Sequence, residues 1–192
     1  MRPQYVARLL IAALALTACS NESTAPVPVR TRLPQAVSAV TAGGSQVGFG
    51  FNGTAGVVIL TGGGSFNPAT ASNIVPSDTR IAGGGGFSCT ANVNAGPLAG
   101  CLAGEGVRWD SVQLLASTTF KCSGTDIVRS ASTGKGTAVL IADFYRAGDG
   151  NEDSFTAPMI VSEDDIAADL PGVQNLWIQG VGCGAAIVNF SK

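Results

Sequence analysis

The sequence predicts an all-β fold: a single antiparallel β-sandwich or barrel with Gly-rich turns, at most one short helix and two disulfides. Three observations predict it. Short apolar runs, several with period two, recur from about residue 45 to the C-terminus, separated by turn signals such as Gly134-Lys135-Gly136, Gly148-Asp149-Gly150 and Pro171-Gly172. Glycine is heavily used, at 26 residues, yet 45% of the chain is hydrophobic, enough for a packed core rather than a disordered chain. Four cysteines, Cys89, Cys101, Cys122 and Cys183, fall inside the same region.

The elements follow in order. Arg2 and Arg8 supply a positive region before a short apolar stretch, Leu9 to Leu16. A membrane-spanning helix needs roughly 20 such residues, so this segment reads as a processed export signal. It ends in Leu16-Thr17-Ala18-Cys19, which resembles the lipobox of bacterial lipoproteins at all four positions. The resemblance implies that residues 1–18 are removed and that Cys19 is acylated on its sulfur and on the new N-terminus. It places the protein in the bacterial cell envelope, anchored to membrane through lipid. Ser20, rather than Asp, follows the cysteine, which under the same resemblance favours the outer membrane. Each buried methylene contributes about 0.8 kcal/mol, so two or three acyl chains hold a protein durably. Residues 19–44 then form a tether, rich in Ser, Thr, Ala, Val and Pro, with Pro26, Pro28 and Pro34. Residues 45–192 are the β domain.

Within that domain, Ala55 to Leu60 reads as a β-branched strand bounded by Gly53 and Gly62. Phe87, Cys89, Ala91 and Val93 alternate with polar or small residues, the mark of a strand with one face buried. Thr137 to Tyr145 is the strongest strand signal. Phe155 to Val161, Leu176 to Ile178 and Ala185 to Phe190 continue the pattern. Arg108 to Ala116 fits helix or strand. Ser162-Glu163-Asp164-Asp165 has the form of a capping box entering a short helix before Pro171. Gly62-Gly63-Gly64 and Gly83 to Gly86 each run into an aromatic two or one residues later; they read as flexible turns preceding strands.

An even number of cysteines in an exported domain predicts two disulfides. Three pairings exist. Cys89–Cys101 is favoured because Gly96-Pro97 between them reverses the chain, leaving Cys122–Cys183. A zinc site built from the four cysteines is disfavoured, since no C-x2-C pair exists.

The composition also excludes chemistry. Eleven basic and thirteen acidic residues give a net charge of −2, and without Arg2 and Arg8 nine against thirteen give −4. Nothing there favours nucleic acid as a partner. The chain has no histidine. Ser-His-Asp and Cys-His catalysis are therefore absent, as are His metal ligands. Gly134-Lys135 lacks the spacing of a phosphate loop, and Gly180-Val181-Gly182-Cys183-Gly184 lacks the last glycine of a dinucleotide fingerprint. Ser132-Thr133-Gly134-Lys135 matches S-x-x-K, but with a glycine in a turn rather than on a helix.

Carboxylates remain. Eight of the thirteen acids lie between Asp143 and Asp169. Asp149, Asn151 and Asp153 alternate as oxygen ligands do in a calcium loop, although Ser154 and Ile160 depart from the full motif; calcium is the one cofactor this suggests. Glu105 and Asp110 flank Trp109, a pair of acids beside an aromatic that suits a glycan-acting hydrolase. Trp109 and Trp177 are candidate ligand-binding platforms. The favoured reading is a tethered structural or binding module contacting a protein, a glycan or a small ligand. A histidine-free, carboxylate-based hydrolase is the alternative.

Overall fold

A computed structural model describes residues 45–74, 81–94, 97–146 and 155–191. Eleven strands appear among them: β1 (Val47–Ala55), β2 (Val58–Phe66), β3 (Ile81–Cys89), β4 (Gly106–Leu114), β5 (Ser117–Phe120), β6 (Arg129–Ser132), β7 (Thr137–Arg146), β8 (Phe155–Ser162), β9 (Leu176–Ile178), β10 (Gly182–Gly184) and β11 (Ala186–Ser191). Among the described residues there is no α-helix, only a 3₁₀ turn at Pro68–Thr70 capped by the Asn67 side chain. Arg108 to Ala116 resolves as strand, not helix. The Ser162 hydroxyl does accept the Asp164 N–H (3.1 Å), as a cap does. The chain then turns instead of coiling, because Asp165 Oδ1 takes the N–H groups of Ala167 (2.9 Å) and Gln174 (3.2 Å) and ties both ends of the segment together.

Nine strands form one antiparallel sheet in the order β10-β9-β8-β7-β4-β3-β2-β1-β11, and β5-β6 form a separate hairpin. The large sheet is nearly closed into a barrel-like sandwich. Its two ends are joined by the chain itself, since only Ala185 separates β10 from β11. β1 bonds both, through Thr54 N–H to Ala185 O (2.9 Å) and Gly56 N–H to Cys183 O (3.1 Å). One bent strand thus closes an up-and-down barrel of eight staves, a size whose interior side chains just fill.

Three local readings change. The alternation that begins at Phe87 ends as strand at Cys89, and Ala91, exposed, and Val93, half-buried, lie in the loop beyond it. Ala55 to Leu60 is not one strand: Gly56, at φ 52°, turns the chain between Ala55 and Val58, which pair directly. A two-residue hairpin loop needs such a positive φ, which glycine adopts freely. The glycine runs are likewise not turns. They lie in mid-strand and in register, Gly62 opposite Gly85, Gly63 opposite Gly84, Gly64 opposite Gly83.

The reason is visible across the barrel. A row of inward positions runs Phe51, Gly62, Gly85, Trp109, Phe144 and Phe155 on successive strands β1, β2, β3, β4, β7 and β8. Phe51 and Trp109 meet at 5.7 Å between ring centroids although two strands lie between them. A Cβ on Gly62 would stand 2.6 Å from the Trp109 ring, and one on Gly85 would stand 1.9 Å from Thr61 O. The glycines are the space into which the aromatics pack. The alternation puts Leu60, Phe87, Leu114, Leu140, Met159 and Leu176 in the same core.

A second, smaller core lies outside the barrel wall. Val139, Ile160 and Trp177 point outward from β7, β8 and β9, and Phe120 of the β5–β6 hairpin covers them. Phe120 and Trp177 have ring centroids 5.5 Å apart. The bridges staple the two regions as the spacing predicts. Cys89–Cys101 closes the β3–β4 connection, and Cys122–Cys183 fastens the chain after β5 to β10.

Candidate functional site

The functional residues expected from sequence scatter. Cys19 lies outside the described residues, as do Asp149, Asn151 and Asp153. Among the described residues no three His, Cys, Asp or Glu side chains converge to hold a metal.

Trp109 is fully buried, its indole N–H given to Thr61 O (3.1 Å). A ring packed among Phe51 and the glycine backbone has no free face for a sugar, so it serves the core rather than a ligand. Its flanking acids do not converge on it either. Glu105 Oε2 accepts the Leu102 N–H (2.8 Å) in the loop before β4, and Asp110 points away from Trp109 to the outer face. The acid that Asp110 does meet is Asp143, directly opposite on β7. Here the outer face is polar: Arg108 approaches Asp110 at 3.8 Å and lies 4.8 Å over the Tyr145 ring. A hydrogen bond to Asp143, then burial, raises the Tyr145 phenol above its ordinary range. Asp143 Oδ1 is shielded from solvent and has no hydrogen-bond partner among the described residues. Sequence spacing gave no sign of this group, because cross-strand register alone assembles it.

Trp177 differs. It is 4% exposed, its indole N–H is held by Lys121 O (2.8 Å), and its remaining edge borders a cleft of about 470 Å³. One wall is the chain Thr119 to Gly124, leaving β5. The other is Gln179 to Gly182, the turn between β9 and β10. The Cys122–Cys183 bridge joins the walls. Gly180, at φ 77°, and Gly182, at φ 120°, allow that tight turn. Among the described residues, Phe120, Val128 and Val181 supply apolar surface, Gln179, Ser123 and Thr119 polar groups, and Lys121 the one charge.

Among the described residues, no carboxylate lines the cleft. It offers a mixed apolar and hydrogen-bonding surface beside one ammonium group, which suits binding; it lacks the acid pair that hydrolysis by carboxylates requires. Ser132 to Lys135 forms a turn, with Thr133 Oγ1 donating to Leu115 O (2.6 Å) and Gly134 bridged to Thr137, so Ser132 and Lys135 do not share a helix face. Comparison with known proteins adds no further identity: no protein family, no curated protein and no solved structure matches this chain.

Proposed function

We propose that the chain is a lipid-anchored protein of the bacterial envelope, preferentially of the outer membrane, and that its barrel is a binding module rather than an enzyme. The observation that carries the binding half is the filled interior. The barrel encloses aromatic and aliphatic side chains, so ligands are met on its outside, where the cleft beside Trp177 is a formed concavity with no carboxylate among its described lining residues.

The cysteine arithmetic supports the anchor. Two bridges use four of the five cysteines and suit an oxidising compartment, and Cys19 is the one left for acylation. The barrel itself turns its apolar face inward, the reverse of a membrane-spanning barrel, so membrane attachment falls to the N-terminus.

Growth of a producing bacterium with an alkyne-bearing palmitate tests the anchor. The wild-type chain takes up label and sediments with membranes, and Cys19→Ser does neither; an unlabelled wild-type chain ends the anchor reading. Release of reducing sugar from cell-wall polysaccharide, lost in Asp110→Asn or Asp143→Asn, would replace the binding module by the hydrolase.

A further inference from the structure

We infer that the cleft beside Trp177 receives an extended peptide, which adds as a strand to the free edge of β5 and places an acidic residue against Lys121. The inference rests on the binding-module reading and names the partner that module takes.

The backbone carries it. β5 pairs with β6 on one side, and among the described residues no strand pairs with its other side. In an antiparallel pair, alternate residues turn their N–H and C=O groups away from the partner strand. The phase is set by two contacts. Ser117 N–H leaves β6 to reach Asn73 Oδ1 (3.2 Å), and Lys121 C=O leaves it to accept the Trp177 indole (2.8 Å). Thr119 lies midway between them, opposite Ser130, so its N–H and C=O also face outward, into the cleft. An unpaired strand edge beside a concavity is the arrangement used in strand addition, where main-chain bonds give affinity and flanking pockets select alternate side chains.

The walls say which side chains. Phe120, Trp177 and Val181 form an apolar floor and flank for one face of an added strand. Lys121 is exposed and, among the described residues, has no salt bridge and is the only charged group lining the cleft. An acidic side chain or a terminal carboxylate on the peptide complements it. The Cys122–Cys183 bridge and the Trp177–Lys121 bond hold the two walls at a set separation, which lowers the ordering cost of binding.

The test uses the full processed protein in detergent and a display library of random heptapeptides. The expected result is enrichment of peptides with apolar residues at alternate positions and one Asp or Glu. A synthesised enriched peptide should slow hydrogen exchange at the Thr119 amide. Thr119→Pro, which removes the outward-facing N–H while leaving the β6-facing bonds of Thr118 and Phe120 in place, should weaken binding at least tenfold, and Lys121→Glu should shift preference to peptides carrying Lys in place of the acid. Far-UV circular dichroism checks that both variants are folded, and the charge swap stands alone if the proline variant is not. No enrichment, protection elsewhere on the barrel, or affinity unchanged by the Lys121 reversal overturns the inference. A panel of neutral and acidic oligosaccharides run in parallel separates the two claims. Sugars protecting the cleft while peptides do not would sink strand addition and leave the binding module standing; Thr119 protection that rises with protein concentration alone would assign the edge to a second copy of the chain.

Discussion

Gly62 and Gly85 owe their place to Trp109 and to the neighbouring backbone, and this makes them sensitive to a single methyl group. Gly85→Ala puts a Cβ 1.9 Å from Thr61 O, and the strands must part to accept it. We expect Gly62→Ala and Gly85→Ala each to cost about 1–3 kcal/mol, the range of overpacked cores, or to prevent folding. Gly134→Ala meets nothing within 4 Å and should stay within about 0.5 kcal/mol of wild type; urea unfolding compares the three. Tyr145 gives a second readout. Its phenol is held protonated by Asp143, so its pKa in the folded protein lies above the ordinary value of 10.0. The stability this contributes is present below about pH 10 and is lost as pH rises through the folded pKa. The chain has two tyrosines, Tyr5 and Tyr145, so in a Tyr5→Phe variant ultraviolet titration follows Tyr145 alone. Asp143→Asn should bring that titration down towards the ordinary value. At this scale the sequence was least legible. Spacing identified Trp109 as an aromatic of consequence but not which way it faces, and a strand sends neighbours Trp109 and Asp110 to opposite sides of the wall.

Among the elements, those with strong period-two patterns, Thr137 to Tyr145 above all, were plain in the sequence because burial on one face writes itself into alternation. The glycine-bearing halves of β2 and β3 were not: a residue without a side chain leaves no alternation to read, and a run of glycines imitates a turn. β5 and β6, the short Ser-Thr-Thr-Phe and Arg-Ser-Ala-Ser segments, were missed for another reason. They cover an outer patch with one aromatic, Phe120, helped by the half-buried Ala131, and have no run of alternating large apolar residues to read. The hairpin they form is held by packing, by the Cys122–Cys183 bridge and by Arg129, whose guanidinium binds the Asp169 carboxylate. That bond holds Asp169 below its ordinary 3.8, so its contribution is present above that pH and is lost as pH falls through the lower folded value. The disulfides should differ in weight. Closing loops of 12 and 61 residues corresponds to about 3 and about 4 kcal/mol in the chain-entropy account. Removing Cys122–Cys183 as a Ser pair should therefore lower the melting temperature more than removing Cys89–Cys101 as an Ala pair, and it alone should expose Trp177 to acrylamide quenching.

For the whole molecule, the predicted class, an antiparallel sandwich or barrel with two bridges, matches the protein, since composition and cysteine number constrain that level directly. Closure was not legible. It depends on the chain from Gly182 to Ser191 serving two neighbours, β9 with its first half and β1 with its second, and no local signal announces such sharing. The shared strand also sets a timetable. β1 is the first of the described strands and β11 the last, so the pairing that completes the barrel spans nearly all the described residues in sequence, and contacts of that range form late and slowly. A chain emerging from synthesis holds β1 and β9 as open edges until residues 182–191 are free. Clipping residues 186–192 should therefore give not a slightly weaker monomer but a species that pairs with its own kind, seen as concentration-dependent aggregates by light scattering. The C-terminal strand is thus the switch between an unfinished, adhesive chain and a finished one: this domain cannot complete its fold until the last of it has arrived.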